Sequence, residues 1–376
     1  MSDPHVRLID LGERRIVSEL ISHRFRTPPN ALLGIGDDCA VFPSPTDEDI
    51  VVTIDPCPTP VVCMLNGVDY YHYGWLTVVI NVSDLAAMGA TPIGMTVSTV
   101  MRPDMHARDY TRFLDGLAEA SETFLCPVLG GNIKDGDRFD AVGSAFGSAR
   151  RRGLLFRTGL SEGDRVCVIG TMGLFWAAVL STLAGSGAST AALFASLHRP
   201  RPQIREGMAL AALDVVTACT DSSDGVGASL YELAQRSRVD IVIDSEALQP
   251  CDDVRSVATA VGIDARKLLF AWGNWELVCG MPASAVTVAR SAIESVGGRF
   301  SEVGVAVPGA GTVWLKEHSE RSVLNDFASL RFSESSYMSS GLEAYIDVLR
   351  NRPLTRGPAV HEGQSDEVLL PEPRRD

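Results

Sequence analysis

The apolar positions of the chain change period several times, and each change marks an element. Over residues 7–25, Leu8, Leu11, Ile16, Leu20 and Ile21 form one face of an amphipathic helix that Pro28 and Pro29 end. Val51 to Ile54 is a short β-type run that delivers Asp55 at its end. Residues 74–90 are apolar almost throughout and predict a buried helix, interrupted by the polar pair Ser83 and Asp84. A β-branched run, 93–100, and a helix after Pro103 follow; strands at 127–131 and 139–147 then flank a turn at 131–137. These alternating elements form a first α/β unit ending near Arg152.

A turn at 160–164 launches a strand, 166–169, which runs through Gly170-Thr171-Met172-Gly173 into a helix at 174–184. Helices near 203–218, 225–236 and 284–296 interleave with strands near 239–243, 276–280 and 311–315. The expected division is 1–152, 153–330 and a polar extension, 331–376. That extension starts with one helix, 341–349, and continues as a flexible tail containing Pro353, Pro358, Pro371 and Pro373. A chain of 376 residues accommodates two domains at about 150 residues each.

Asp84 is the most informative polar position. An ionised carboxylate taken out of water costs several kcal/mol or more unless a cation or hydrogen-bond donors meet it. It is either a ligand for a divalent cation or basic group, or a helix-end surface residue with Gly89 as the stop. The net charge of −14 argues against nucleic acid or an anionic membrane as partner. Any polyphosphate ligand would have to bring metal ions or meet a local cationic pocket. The eight cysteines include no CxxC pair, and Cys39, Cys126, Cys167 and Cys279 sit in apolar surroundings as small core residues. Reduced thiols, a polar N-terminus and the lack of an apolar run near 20 residues point to a soluble cytoplasmic protein.

Neither GxxxxGK[ST] nor GxGxxG after a strand is present. The chain instead has aspartates at element ends: Asp37 and Asp38, Asp55, Asp84, and Asp221 with Asp224. Singly, each is a plausible turn or cap residue, Asp224 as the cap of the helix at 225–236. Converging together they would repel one another unless hard cations bridged them, and magnesium bound by carboxylates and substrate phosphates suits such a set.

The blocks GIGDDCAVF (34–42), VVTID (51–55), NVSDLAAMGATP (81–92), LSEGDRVCVIGTMG (160–173), LHRPRPQIREG (197–207) and TDSSDG (220–225) resemble thiamine-monophosphate kinase in order and spacing. The likeness covers about residues 10–320 and extends to a superfamily with aminoimidazole ribonucleotide synthetase, selenophosphate synthetase and the hydrogenase-maturation dehydratase. It implies a two-domain PurM-like α/β (α+β) fold. An N-terminal domain with a mixed or antiparallel sheet would pair with its copy in a homodimer, beside a C-terminal α/β domain. It also implies that ATP binds through magnesium. By motif, Asp37, Asp38, Asp55, Asp84 and Asp224 would hold the metal, with Asp37, Asp84 and Asp224 nearest the chemistry. Asp38, Asp55, Asp221, Gly130, Gly131, Asn132 and Lys134 would serve the nucleotide; Lys134 is otherwise an exposed loop lysine.

The departures fall mainly on the acceptor side. Asn132 replaces the Asp of Gly-Gly-Asp-Thr, with Asp135 or Asp137 able to supply charge from the same loop. Residues 271–277, Ala-Trp-Gly-Asn-Trp-Glu-Leu, stand for Gly-Gly-Glu-Asp-Tyr-Glu-Leu, and the loop after Asp55 is Pro56-Cys57-Pro58-Thr59-Pro60. Gly170 and Gly173 would expose amides to a phosphate, while Trp272, Asn274 and Trp275 would meet the acceptor; a Trp pair in the core is the alternative. His72, His106 and His198 have no metal-like spacing and read as structural or surface residues.

The expectation is an ATP- and magnesium-dependent phosphotransferase for a small heterocyclic or nucleotide-like acceptor other than thiamine monophosphate. The alternatives are an amide-activating ligase like aminoimidazole ribonucleotide synthetase and a non-catalytic nucleotide-binding relative.

Overall fold

The computed structural model describes residues 32–185 except 34 and 36, then 190–328 and 337–357. The helix expected at 7–25 lies outside the described residues. Five strands form the first sheet: β1 (Ala40–Phe42), β2 (Glu48–Pro56), β3 (Thr91–Met101), β4 (Val128–Asp135) and β5 (Asp140–Arg150). Their order is β1-β2-β5-β3-β4, antiparallel except where β3 meets β4. Between β2 and β3 come α1 (Val61–Asn66) and α2 (Tyr70–Ala87), and α3 (Ala107–Thr123) precedes β4.

The helix read as 74–90 is therefore α2, started one turn earlier by Asp69, whose side chain accepts the Tyr71 amide. Fourteen of its residues are buried, because α3 covers one side and the sheet and second domain cover others. Gly74 and Gly116 permit the α2–α3 contact: a Cβ at Gly74 would lie 2.0 Å from the Phe113 carbonyl oxygen.

The turn expected at 131–137 is not there. Strand β4 continues to Asp135, pairing with β3 from Met95–Val128 through Met101–Asp135. The polar sequence Gly-Gly-Asn-Ile-Lys-Asp misleads because an edge strand needs no buried side chains, and every β4 residue is exposed.

The second sheet has eight strands in the order β13-β12-β11-β8-β10-β6-β9-β7. These are β6 (Arg165–Ile169), β7 (Ala218–Asp221), β8 (Val239–Asp244), β9 (Leu277–Met281), β10 (Phe300–Pro308), β11 (Val313–Glu317), β12 (Glu320–Leu324) and β13 (Thr355–Arg356). Its helices are α4 (Leu174–Leu183), α5 (Ala191–His198), α6 (Ile204–Ala211), α7 (Val226–Ser237), α8 (Asp252–Val261), α9 (Ala265–Phe270) and α10 (Val286–Ser295). The helix expected over 203–218 stops at Ala211: Asp214 turns left-handed at φ 52°, and the chain then enters β7.

The extension is not wholly loose. A helical segment α11 (Tyr337–Asn351), broken at Gly341, buries Tyr345 and Leu349 in the second core, and β13 pairs with β12. Tyr345 lies 4.7 Å from Trp176 and 5.6 Å from Trp272, ring to ring. Pro358, Pro371 and Pro373 lie outside the described residues. Cys39, Cys126, Cys167 and Cys279 are buried, and all eight cysteines are free. Among the described residues no helix is long and apolar enough to cross a membrane.

Candidate active site

Three carboxylates from three segments meet where α2 packs against β7. Asp38 lies just ahead of β1, Asp84 lies in the last turn of α2, and Asp221 ends β7. One oxygen from each lies within 4.8 Å of the others. Asp84 is thus not the surface helix-end residue of the alternative reading.

Neighbours chosen by the same motifs hold these groups. The Thr53 hydroxyl donates to Asp84 at 2.5 Å, and the Ser83 hydroxyl donates to Asp221 at 2.7 Å. Asn81 accepts the Asp55 amide at 3.2 Å and donates to the Thr77 carbonyl at 2.9 Å, pinning the end of β2 to α2. That contact requires a glycine opposite, since a Cβ at Gly143 would come within 2.4 Å of Asn81 Nδ2.

The cluster has too little positive charge of its own. Burial, then the Asp55, Asp221 and Asp38 charges, push the Asp84 carboxyl well above its ordinary range, and the Thr53 bond only partly opposes this. Burial and then Asp38 raise Asp221 to about 7; burial and the Asp38 charge raise Asp37 to about 6. Among the described residues the cation in direct contact is Arg157, a residue that sequence reasoning passed over in the inter-domain turn. Its Nε donates to Asp38 at 3.0 Å while its terminal nitrogen bonds the other Asp38 oxygen. Its backbone amide donates to Asp37 at 3.3 Å, and Glu232 of α7 lies 3.8 Å from the guanidinium. Burial works against the Arg157 charge, but Asp38 and Asp37 overcome it and keep the guanidinium protonated.

Asp224 does not cap α7. Gly225 occupies the cap with no side-chain bond, at φ 104°, pressed against the 270–272 turn: its Cβ would lie 2.8 Å from the Phe270 carbonyl oxygen. The loop between Asp221 and Asp224 is held by Glu276, also unflagged by the sequence. Ser222 donates to the Glu276 carboxyl at 2.5 Å and accepts the Glu276 amide at 2.9 Å. Burial raises Glu276 to about 8.

A pocket opens beside the cluster. Asp55, Asp221, Asp224 and Ser223 line one end of its surface. Pro56, Pro58 and Pro60 contribute apolar wall, as do Phe175, Trp272 and Trp275. His72 and His198 line it too, so these are not mere surface residues. Trp272 belongs to both readings, since it is 6% exposed and packs on Phe175, Trp176 and Tyr345. Trp275 is held at φ 50°, a conformation that costs a bulky residue about 1 kcal/mol or more.

Other expected positions sit elsewhere. Asn274 accepts the Phe175 amide at 2.8 Å, so it caps α4, whose N-cap is Gly173. Gly170 packs against Glu276, at 3.0 Å from a built Cβ to Cγ. Gly130, Gly131, Asn132 and Lys134 lie on exposed β4. The register runs Asp55–Gly143–Val97–Gly131, so Gly131 is three strand spacings, about 14 Å, from Asp55.

Fold and site define a class: a two-domain mixed α/β protein with an oxygen-donor cluster set beside an apolar pocket. Residues 36–149 match the AIR synthase related protein N-terminal domain and residues 161–316 match its C-terminal domain. The chain belongs to this family, with the PurM-like fold its motifs imply. It is 31% identical over 280 residues to the thiamine-monophosphate kinase of Halobacterium salinarum, covering 74% of this chain and 90% of that one. The structure of AaThiL complexed with AMPPCP and TMP is 25% identical, with a TM-score of 0.71 over 85% of this chain and 99% of that chain. The hydrogenase maturation protein HypE in complex with ATP, at 17% identity and a TM-score of 0.61, shares the fold across 85% of this chain and 98% of its own.

Proposed function

We propose that this chain is an ATP- and magnesium-dependent phosphotransferase acting on a small heterocyclic or nucleotide-like acceptor other than thiamine monophosphate. The convergence of Asp38, Asp84 and Asp221 within 4.8 Å carries the reading. All donors are hard oxygens, the choice of magnesium, and burial together with neighbouring carboxylate charge raises the Asp84 and Asp221 carboxyls, a repulsion that a cation would relieve. The group fits. Asp38, Asp84 and Asp221 would hold it, with Asp37, Asp55 and Asp224 around them. When bound, the metal supplies charge neutralisation for a transferring phosphoryl group.

The chain's own residues then do the positioning. Arg157 orients Asp38 through both of its oxygens, Thr53 and Ser83 fix Asp84 and Asp221, and Glu276 fixes the loop bearing Asp224. The apolar wall excludes water beside them. No covalent nucleophile is required. The relatives named for thiamine monophosphate and the AaThiL complex with AMPPCP support the nucleotide half. The prolines after Asp55, Trp272, Trp275 and Asn132 motivate a different acceptor.

A homodimer belongs to the same proposal. The outward face of β2 exposes Ile50 and Ile54, and the register places Asn132 on that face, opposite Ser98. A second copy packed there would cover the apolar face and bring β4 to a shared cleft. Eight free thiols fit a reducing compartment such as the cytoplasm.

Incubation with γ-labelled ATP, magnesium and candidate acceptors tests the reading. A stable labelled acceptor is expected. Free phosphate with a condensed product would replace it by the ligase, and lack of magnesium-dependent nucleotide binding would remove both.

A further inference from the structure

Two histidines 126 residues apart in sequence meet in the pocket, and one of them has its tautomer fixed. His72 Nδ1 lies 3.1 Å from the His198 carbonyl oxygen. A carbonyl only accepts, so Nδ1 carries the proton. Burial, the leading cause, lowers the His72 pKa; the Asp69 charge and the His198 bond act against it, and Arg112 and Arg199 act with it. The neutral ring therefore has a lone pair at Nε2. Nothing among the described residues donates to that nitrogen. His198 closes the same corner, its ring 5.2 Å from His72 and stacked at 4.1 Å on Phe194.

This corner sets a hydrogen-bond acceptor beside a largely apolar wall of proline, aliphatic and aromatic side chains. Flat rings suit such walls, because aromatic faces stack on them. A ring with no donor would strip water from the His72 lone pair and return nothing.

We propose that His72 is a specificity-determining residue: its Nε2 takes a hydrogen bond from a ring N–H or exocyclic amine of a planar, uncharged heteroaromatic acceptor. The inference rests on the acceptor-pocket reading given above. It adds which edge of the acceptor faces away from the aspartates and what that edge must carry.

The test uses the full chain saturated with magnesium and AMPPNP, titrated with 4-aminoquinazoline and its near-isostere 4-methylquinazoline. The amine should bind about three- to tenfold more tightly, the scale of one neutral hydrogen bond. His72→Asn places an amide near Nδ1, able to keep the His198 contact, and removes the acceptor at Nε2; the preference should vanish. His72→Gln places a carbonyl near Nε2 and should keep it. Magnesium–AMPPNP affinity should be alike in both variants. Equal binding of the two probes to the wild type, or an undiminished preference in His72→Asn, would overturn the inference. So would displacement of the amine by AMPPNP, which would make the pocket the nucleotide base's own. If the wild type binds no magnesium–AMPPNP, the phosphotransferase reading fails separately, and the probes titrated alone still decide the role of His72.

Discussion

The two ends of the cleft are built on opposite principles. At the acidic end, carboxylates from the approach to β1, from α2 and from β7 repel one another, and Arg157 is the one cation in contact with them among the described residues. At the other end, prolines, tryptophans and a pair of neutral imidazoles leave very little charge at all. The first arrangement holds a charge repulsion that a bound cation would relieve. The second is comfortable without one and can be exchanged freely. The blocks bearing Asp38, Asp84 and Asp221 lie at the first end, and Pro56–Pro60 and residues 271–275, which depart from the family motifs, lie at the second.

The contrast can be broken most forcefully at Arg157. Arg157→Met would leave Asp38 buried against other carboxylates, at a cost of about 3–5 kcal/mol for a broken buried pair. Denaturant unfolding should show that loss without metal, and magnesium should restore part of it. An unchanged midpoint would mean that the acidic end carries no stored charge.

The pH dependence is the next largest effect. Folding raises Asp221 from 3.8 to about 7 and Asp37 from 3.8 to about 6. The native state thus holds more protons than the unfolded chain between these limits. The contribution of these groups is complete below about pH 4 and is lost as pH rises through 6 and 7. Magnesium would bind the ionised forms, so its stabilisation should be greater at about pH 8 than at about pH 5. Melting curves with and without magnesium check this; equal increments at both pH values would contradict it.

At the apolar end, Trp275→Phe should raise the acceptor KM severalfold and leave the ATP KM unchanged, because only the pocket wall changes. A parallel rise in both would merge the two ends into one site. Glu276→Gln should have the smallest effect near pH 7, since burial already holds that carboxyl at about 8 and the Ser222 bond survives in the amide. A loss of turnover as large as that of Glu276→Ala would show that the charge, rather than the bond to Ser222, matters.

Much of the acidic end was legible because a carboxylate in an apolar run is expensive, and Asp84 in α2 announces its need for a partner. The ordered blocks around Asp38 and Asp221 then placed those partners. Arg157 was not legible, because a single arginine in an inter-domain turn has the same local signature whether it faces water or aspartates. His72 and His198 were read only as structural or surface residues for a different reason: one lies in the first turn of α2 and the other ends α5, and no local period encodes their meeting. The second half of β4 read as a turn because Gly131 serves a close approach instead. At Gly131 a Cβ would stand 1.9 Å from the Val97 carbonyl oxygen. Tyr345, which backs Trp272 from the C-terminal extension, was equally invisible in a segment of polar composition.

Titration calorimetry of AMPPNP into wild type and Asp84→Asn, each with and without magnesium, addresses the central claim most directly. Magnesium-dependent binding to the wild type is expected, weakened by roughly a hundredfold in Asp84→Asn, the scale of losing one preorganised electrostatic group, with little change in folded structure. Equal nucleotide affinity in the two proteins, or wild-type binding indifferent to magnesium, would contradict it.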